Sequence, residues 1–183
     1  ANTVYTGQIA SDLIKPMGYY RFWLAQDLGR ASAQLALRGL PLIAAYAVFF
    51  GITTPNSLVQ WLALACVMAL AWLVSFSWRF LVNLAAFWSP NAVGIGRFFF
   101  LSSYFMSGFV IPLRFFPNWF VRLCYLTPFP HVVNAVVETY LGVLSVSELI
   151  GTVLGQLVWA VLLIVLGQII LRAGIRRLVI LGG

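Results

Sequence analysis

The sequence predicts an all-α polytopic membrane protein with four transmembrane helices, and three observations carry the prediction. Of its 183 residues, 62% are hydrophobic and 8% charged, against about 45–50% apolar and about 25% charged in soluble domains. The apolar residues gather into runs near the length of about 20 that a bilayer-crossing helix needs. The bases fall between those runs, and a single topology puts most of them on one side.

Residues 1–30 read as a cytoplasmic amphipathic segment. In "ASDLIKPMGYYRFW", residues 10–23, Leu13 and Ile14 share one helical face with Ile9, while Ser11, Asp12 and Lys15 lie off it. Pro16 ends or bends that short helix. Tyr19, Tyr20 and Trp23 suit the membrane interface, with Arg21 and Asp27 facing water. Taken by itself, such a segment is an interfacial anchor.

Residues 31–183 read as the transmembrane domain. The first expected span is 33–51, with Arg38 near one end and a kink at Pro41. "ITTPN" at 52–56 is a turn. The second span covers 57–82, and its helix can run on through "NLAAFW" until "SPN" stops it. The third, 95–113, is short, and the fourth is 149–171. With both ends cytoplasmic, Lys15, Arg21, Arg30, Arg79, Arg97, Arg172, Arg176 and Arg177 lie inside, and only Arg114 and Arg122 outside. Between the last two spans, Pro117, Pro128 and Pro130 cut residues 114–145 into pieces too short to cross. They read as a helical hairpin dipping into the outer leaflet. Pro130 is expected in the first turn of its second helix, and Phe115, Phe116, Trp119, Phe120, Tyr125 and Phe129 at headgroup level. Ala1 is no initiator, and the first residues lack a signal peptide's basic and apolar regions. The chain is therefore expected to be the later part of a longer protein.

In this order the motifs resemble the permease subunit of ABC-2 type transporters, bacterial exporters whose membrane and ATPase subunits are separate chains. Gly7, Ile9, Leu13, Ile14, Lys15 and Pro16 match the segment ahead of that family's third helix. Ser107, Gly108, Leu113, Phe116, Pro117 and Trp119 match its outer hairpin, as does "TPFP" at 127–130. The resemblance implies six spanning helices per subunit, of which this chain carries the last four. It also implies a bacterial inner-membrane location, a second permease subunit (a homo- or heterodimer) and two ABC ATPase subunits. Residues 7–27 become a coupling helix docking on the ATPase, with Asp12, Leu13, Lys15, Pro16 and Arg21 as its contact residues. Arg114, Pro117, Trp119, Arg122, Pro128, Pro130 and Glu138 then form an outer hairpin that shapes the exit. The substrate is expected to be amphiphilic: a drug, a lipid or a glycoconjugate. No cofactor is expected in this chain. No G-x4-GK-[ST] loop is present to hold phosphates, so ATP and Mg are expected in the partner ATPase.

Other chemistries fit less well. Nucleic-acid binding needs bases gathered on one exposed face, and here they are dispersed. A membrane-embedded lipid-modifying enzyme needs an interfacial cluster of His, Asp, Glu or Cys, and the chain has four acids and one His. A channel-like subunit needs a polar pore helix. Arg38, Arg79 and Arg97 are expected to snorkel to the inner interface. Gln60 and Asn83 are candidates to line a translocation path, with interhelical hydrogen bonding as the plainer role. Glu138 is expected to pair with Arg114 or Arg122, or else to meet a cationic substrate. His131 has too few companions for a metal. Ser145 and "SxxSG" at 103–108 lack a histidine–acid pair for nucleophilic chemistry. Gly151 and Gly155 form a G-x3-G that allows close helix approach. Cys66 and Cys124 read as packing residues.

Overall fold

The computed structural model describes residues 18–89 and 92–181, with only the backbone at Ala92 and at 177–181. The chain divides into two compact units, Thr6–Thr54 and one built from Pro55 onward. Every described element is helical.

In the first unit, α1 (Tyr19–Phe50) runs for 32 residues. It starts where the Gly18 carbonyl accepts from the Phe22 N–H at 3.1 Å. Nothing from Tyr19 to Gln34 breaks a helix, so α1 passes through residue 30, where the sequence divided interfacial segment from span. At Leu35–Gly39 the helix widens into a π turn, with the Leu40 N–H donating to the Leu35 carbonyl five residues back. Pro41 is the cause. It has no N–H to donate, and its ring crowds the carbonyl four residues earlier; one extra residue in the preceding turn relieves both problems. Leu37, Leu42, Val48 and Phe49 are exposed, which suits a helix whose solvent is lipid. Gly51, at φ +72°, ends α1 in backbone that only glycine adopts readily.

The second unit is built on two long helices. α2 (Leu58–Asn83) continues as a 3-10 turn, Leu84–Phe87, and α6 (Val146–Leu181) runs for 36 residues. α2 opens on Ser57, whose hydroxyl accepts from the Gln60 N–H at 3.1 Å. α6 opens on a capping box. The Ser145 N–H and hydroxyl both donate to the Glu148 carboxylate, at 2.8 and 2.7 Å, and the Ser145 hydroxyl accepts from the Glu148 N–H. That box starts α6 ahead of the expected residue 149. The two helices pack along Leu64, Val67, Ala71 and Val74 on α2 and Gln156, Ala160, Leu163, Gly167 and Leu171 on α6, a spacing of threes and fours. Val74, Ala160 and Leu163 form the centre, flanked by Trp78, Leu81, Val132 and Trp159.

Between them lie α3 (Ala92–Met106), α4 (Asn118–Tyr125) and α5 (Asn134–Leu141). The expected third span, 95–113, is shorter than predicted. At 15 residues α3 is about 22 Å long, against about 30 Å of hydrocarbon. Among the described residues, three helices are long and apolar enough to cross a membrane, namely α1, Leu58–Phe87 and Val146–Arg176. What stops α3 is Gly108, at φ +78°. A Cβ there would also lie 3.3 Å from Leu113 and 3.4 Å from the Asn134 Oδ1. Gly108→Ala is therefore expected to cost about 1–3 kcal/mol, read as a lower melting temperature of the protein in detergent.

The turn between α4 and α5 corrects one expectation and adds a packing contact. Pro130 does not sit in the first turn of α5, which begins at Asn134. In a regular helix the Ala135 N–H would bond the His131 carbonyl. That carbonyl instead accepts from Gln156 Nε2 at 2.9 Å, and the Ala135 N–H donates to the Pro130 carbonyl at 3.0 Å. Phe129, expected among the lipid-facing aromatics, packs inside the protein instead, edge-on to Trp78 with centroids 5.0 Å apart. Phe115 and Trp119, by contrast, are exposed.

Candidate functional site

The short helices line a half-open cavity of about 430 Å³ against the start of α6. It is lined by Arg114, Tyr125, His131, Glu138 and Glu148, with Val143, Leu144, Gly151 and Thr152 completing the wall. Each polar group is held by a different element. Arg114 stands on the 3-10 turn Leu113–Phe115, and its Nε and Nη2 both reach the Glu138 Oε1, each at 3.2 Å. Glu138 is on α5. Of the two hairpin bases, Arg114 is the one that pairs with it.

Tyr125 closes α4, and its hydroxyl accepts from Asn134 Nδ2 at 3.2 Å. Burial pushes the Tyr125 hydroxyl above its ordinary pKa, and the nearby Glu138 adds to this. The His131 ring stands edge-on to Tyr125, with centroids 5.9 Å apart. Its residue is 8% exposed, and burial pushes its pKa below the ordinary value, so the imidazole is neutral at physiological pH. Glu148 faces the cavity from the first turn of α6, fixed by the capping box. With His131 neutral, two carboxylates face one guanidinium.

The other sequence-predicted residues fall in several places. Asp12, Leu13, Lys15 and Pro16 lie outside the described residues. Arg21 is exposed in the first turn of α1. Pro117 caps α4, its carbonyl accepting from the Phe120 and Val121 N–H groups. Trp119 and Arg122 are exposed on α4, and Pro128 and Pro130 are buried in the turn. Gln60 is engaged at both ends of its amide. Its Oε1 accepts from the Asn56 N–H at 2.9 Å, and its Nε2 donates to the Tyr140 and Thr139 carbonyls at 3.0 and 3.3 Å. It thereby caps the C-terminus of α5 from the start of α2. Asn83 donates to the Arg79 carbonyl within its own helix at 2.8 Å. Arg79 Nε likewise turns back to the Ser75 carbonyl at 3.3 Å.

Two residues that organise this region were missed in the sequence. Glu148 belongs to "SVSE", a capping-box pattern readable in advance. Gln156 is fully buried, and its Nε2 donates to the Val67 carbonyl at 3.1 Å as well as to His131. The signal available was an amide in the middle of an apolar span.

The chain's sequence matches a family model described as ABC-2 family transporter protein over residues 1–182. No curated protein and no solved structure matches it significantly. The long apolar helices agree with a multi-pass membrane subunit of a transporter, and the match spans nearly every residue: the chain belongs to the ABC-2 transporter family.

Proposed function

We propose that this permease is the membrane half of an ATP-driven exporter. It lies in a bacterial inner membrane with both ends of the chain cytoplasmic, and it moves an amphiphilic substrate such as a drug, lipid or glycoconjugate. Two ABC ATPase subunits bind ATP and Mg, this chain binds no cofactor of its own, and a second permease completes the path. Closure of the ATPases pushes on residues 7–27, and the two permeases rock to open outward past the hairpin at 114–145. Four crossings follow if α3 is completed by residues 107–113. Such irregular backbone is tolerated in a membrane only where protein covers it, and the Asn134 N–H donates to the Ser107 carbonyl at 3.2 Å. Gln60 and Asn83 serve on this reading as holding residues near the path.

The observation that carries the proposal is the family match over residues 1–182. The experiment is purification of the full-length protein with its co-purifying ATPase. Charge reversal at Asp12 and Lys15 combined with Pro16→Ala is expected to abolish transport-coupled ATPase activity while the permease still reaches the membrane. Unchanged assembly and coupling in that variant would remove residues 7–27 from the mechanism.

A further inference from the structure

We infer that the cavity bounded by Arg114, Tyr125, His131, Glu138 and Glu148 binds the ammonium head of an organic cation. The inference rests on the transporter reading for its purpose, and on geometry for its content. Among the described residues, two carboxylates and one guanidinium line the cavity. That guanidinium is already spent on one oxygen, the Glu138 Oε1, which takes both of its contacts. The Glu148 contacts with Ser145 both fall on Oε2. Each acid thus keeps a second oxygen that could accept a proton donor.

An independent observation points the same way. His131 is over nine-tenths buried, lines this cavity, and has no hydrogen bond to either ring nitrogen among the described residues. Neither ring nitrogen is fully buried, so a donor entering there can reach one. A neutral imidazole offers one acceptor nitrogen, and an ammonium offers three donors. Two carboxylate oxygens and one imidazole nitrogen on this lining offer three acceptors to those donors. Tyr125 lines the same wall. An anionic or neutral head gains little here. An anion would have to displace Glu138 from Arg114, and a neutral head leaves the excess negative charge uncompensated. Val143 and Leu144, also on the wall, give an apolar body somewhere to lie.

The probe is dansylcadaverine, a primary ammonium on an apolar fluorophore, added to the full-length protein in neutral-lipid nanodiscs. Its N-acetyl derivative is the uncharged control. Saturable fluorescence enhancement above empty nanodiscs is expected for the amine alone. Glu148→Gln is the sharpest variant, because Gln also completes a capping box, so the charge goes while the start of α6 stays. It is expected to weaken binding about tenfold, the loss of one charge-assisted hydrogen bond. His131→Phe, which keeps a ring of similar shape, is expected to weaken it as well. Equal binding of the acetylated probe overturns the inference, as does wild-type affinity in both variants. The transporter reading fails separately. ATP-driven flux without amine binding sinks the site alone, whereas amine binding without any ATP-driven flux sinks the exporter and leaves the site.

Discussion

Gln156→Glu is expected to destabilise the folded protein by about 3 kcal/mol, seen as a melting temperature in detergent lower by about 6–12 °C. Gln156 is fully buried, and its Nε2 serves two carbonyl oxygens, of Val67 on α2 and His131 in the hairpin turn. Only a donor can face two acceptors. A carboxylate at that position sets negative charge against both oxygens, and a protonated carboxyl supplies one donor where two are needed. Gln156→Leu removes the same two bonds without adding charge. It also removes the Gln156 Oε1, which has no partner among the described residues. Interhelical bonds in membrane proteins average about 0.6 kcal/mol, so Leu is expected to cost about 1 kcal/mol. The ordering of Glu far below Leu, and Leu slightly below wild type, is the diagnostic. If Glu and Leu melted together, the two-acceptor geometry would be wrong. Tryptophan fluorescence suits the measurement, since the chain has seven tryptophans.

Gln156 also shows where the sequence could be read and where it could not. Length and hydropathy placed α1, α2 and α6, because a membrane helix has to satisfy its own backbone and be greasy enough to stay. Those constraints are local, so they are legible. Pro41 was legible for the same reason: the missing N–H acts within one turn, whichever way the helix packs. Termini were less so. The capping box of Ser145 and Glu148 was present in the residues and overlooked, and α1 runs through a boundary drawn from polarity alone. What the residues could not announce was contact across long separations. That the His131 carbonyl would be claimed by an amide 25 residues away, forcing α5 to begin at Asn134 rather than at the proline, depends on tertiary packing. The cavity is of the same kind. Arg114 and Glu138 were an expected pair, but the addition of Glu148, Tyr125 and His131 to one wall follows from how the turn seats against α6.

The second large effect concerns glycines on α6, where the simple small-residue motif was misleading. Gly151 and Gly155 have the spacing for close helix approach, yet a Cβ on Gly151 meets nothing within 4 Å. A Cβ on Gly155 would stand 2.5 Å from the His131 Cε1. Further along, Gly167 lies against Phe80 and Gly174 against Phe87. The glycines that matter are those facing rings. At Gly155 the ring cannot easily retreat, because Gln156 holds the His131 carbonyl and Tyr125 flanks the imidazole. Gly155→Ala should therefore be destabilising by about 1–3 kcal/mol from overpacking. This holds even though Ala in a helix is favoured over Gly by about 1 kcal/mol. The same change at Gly151 lacks the clash and should be neutral or stabilising. A double-mutant cycle isolates the cause. With His131→Ala already made, Gly155→Ala should lose its penalty and keep its helix-forming benefit, reversing sign. An unchanged penalty in the His131→Ala background would mean that Gly155 is required by something other than the imidazole, and that α6 is not what holds the ring at the cavity wall.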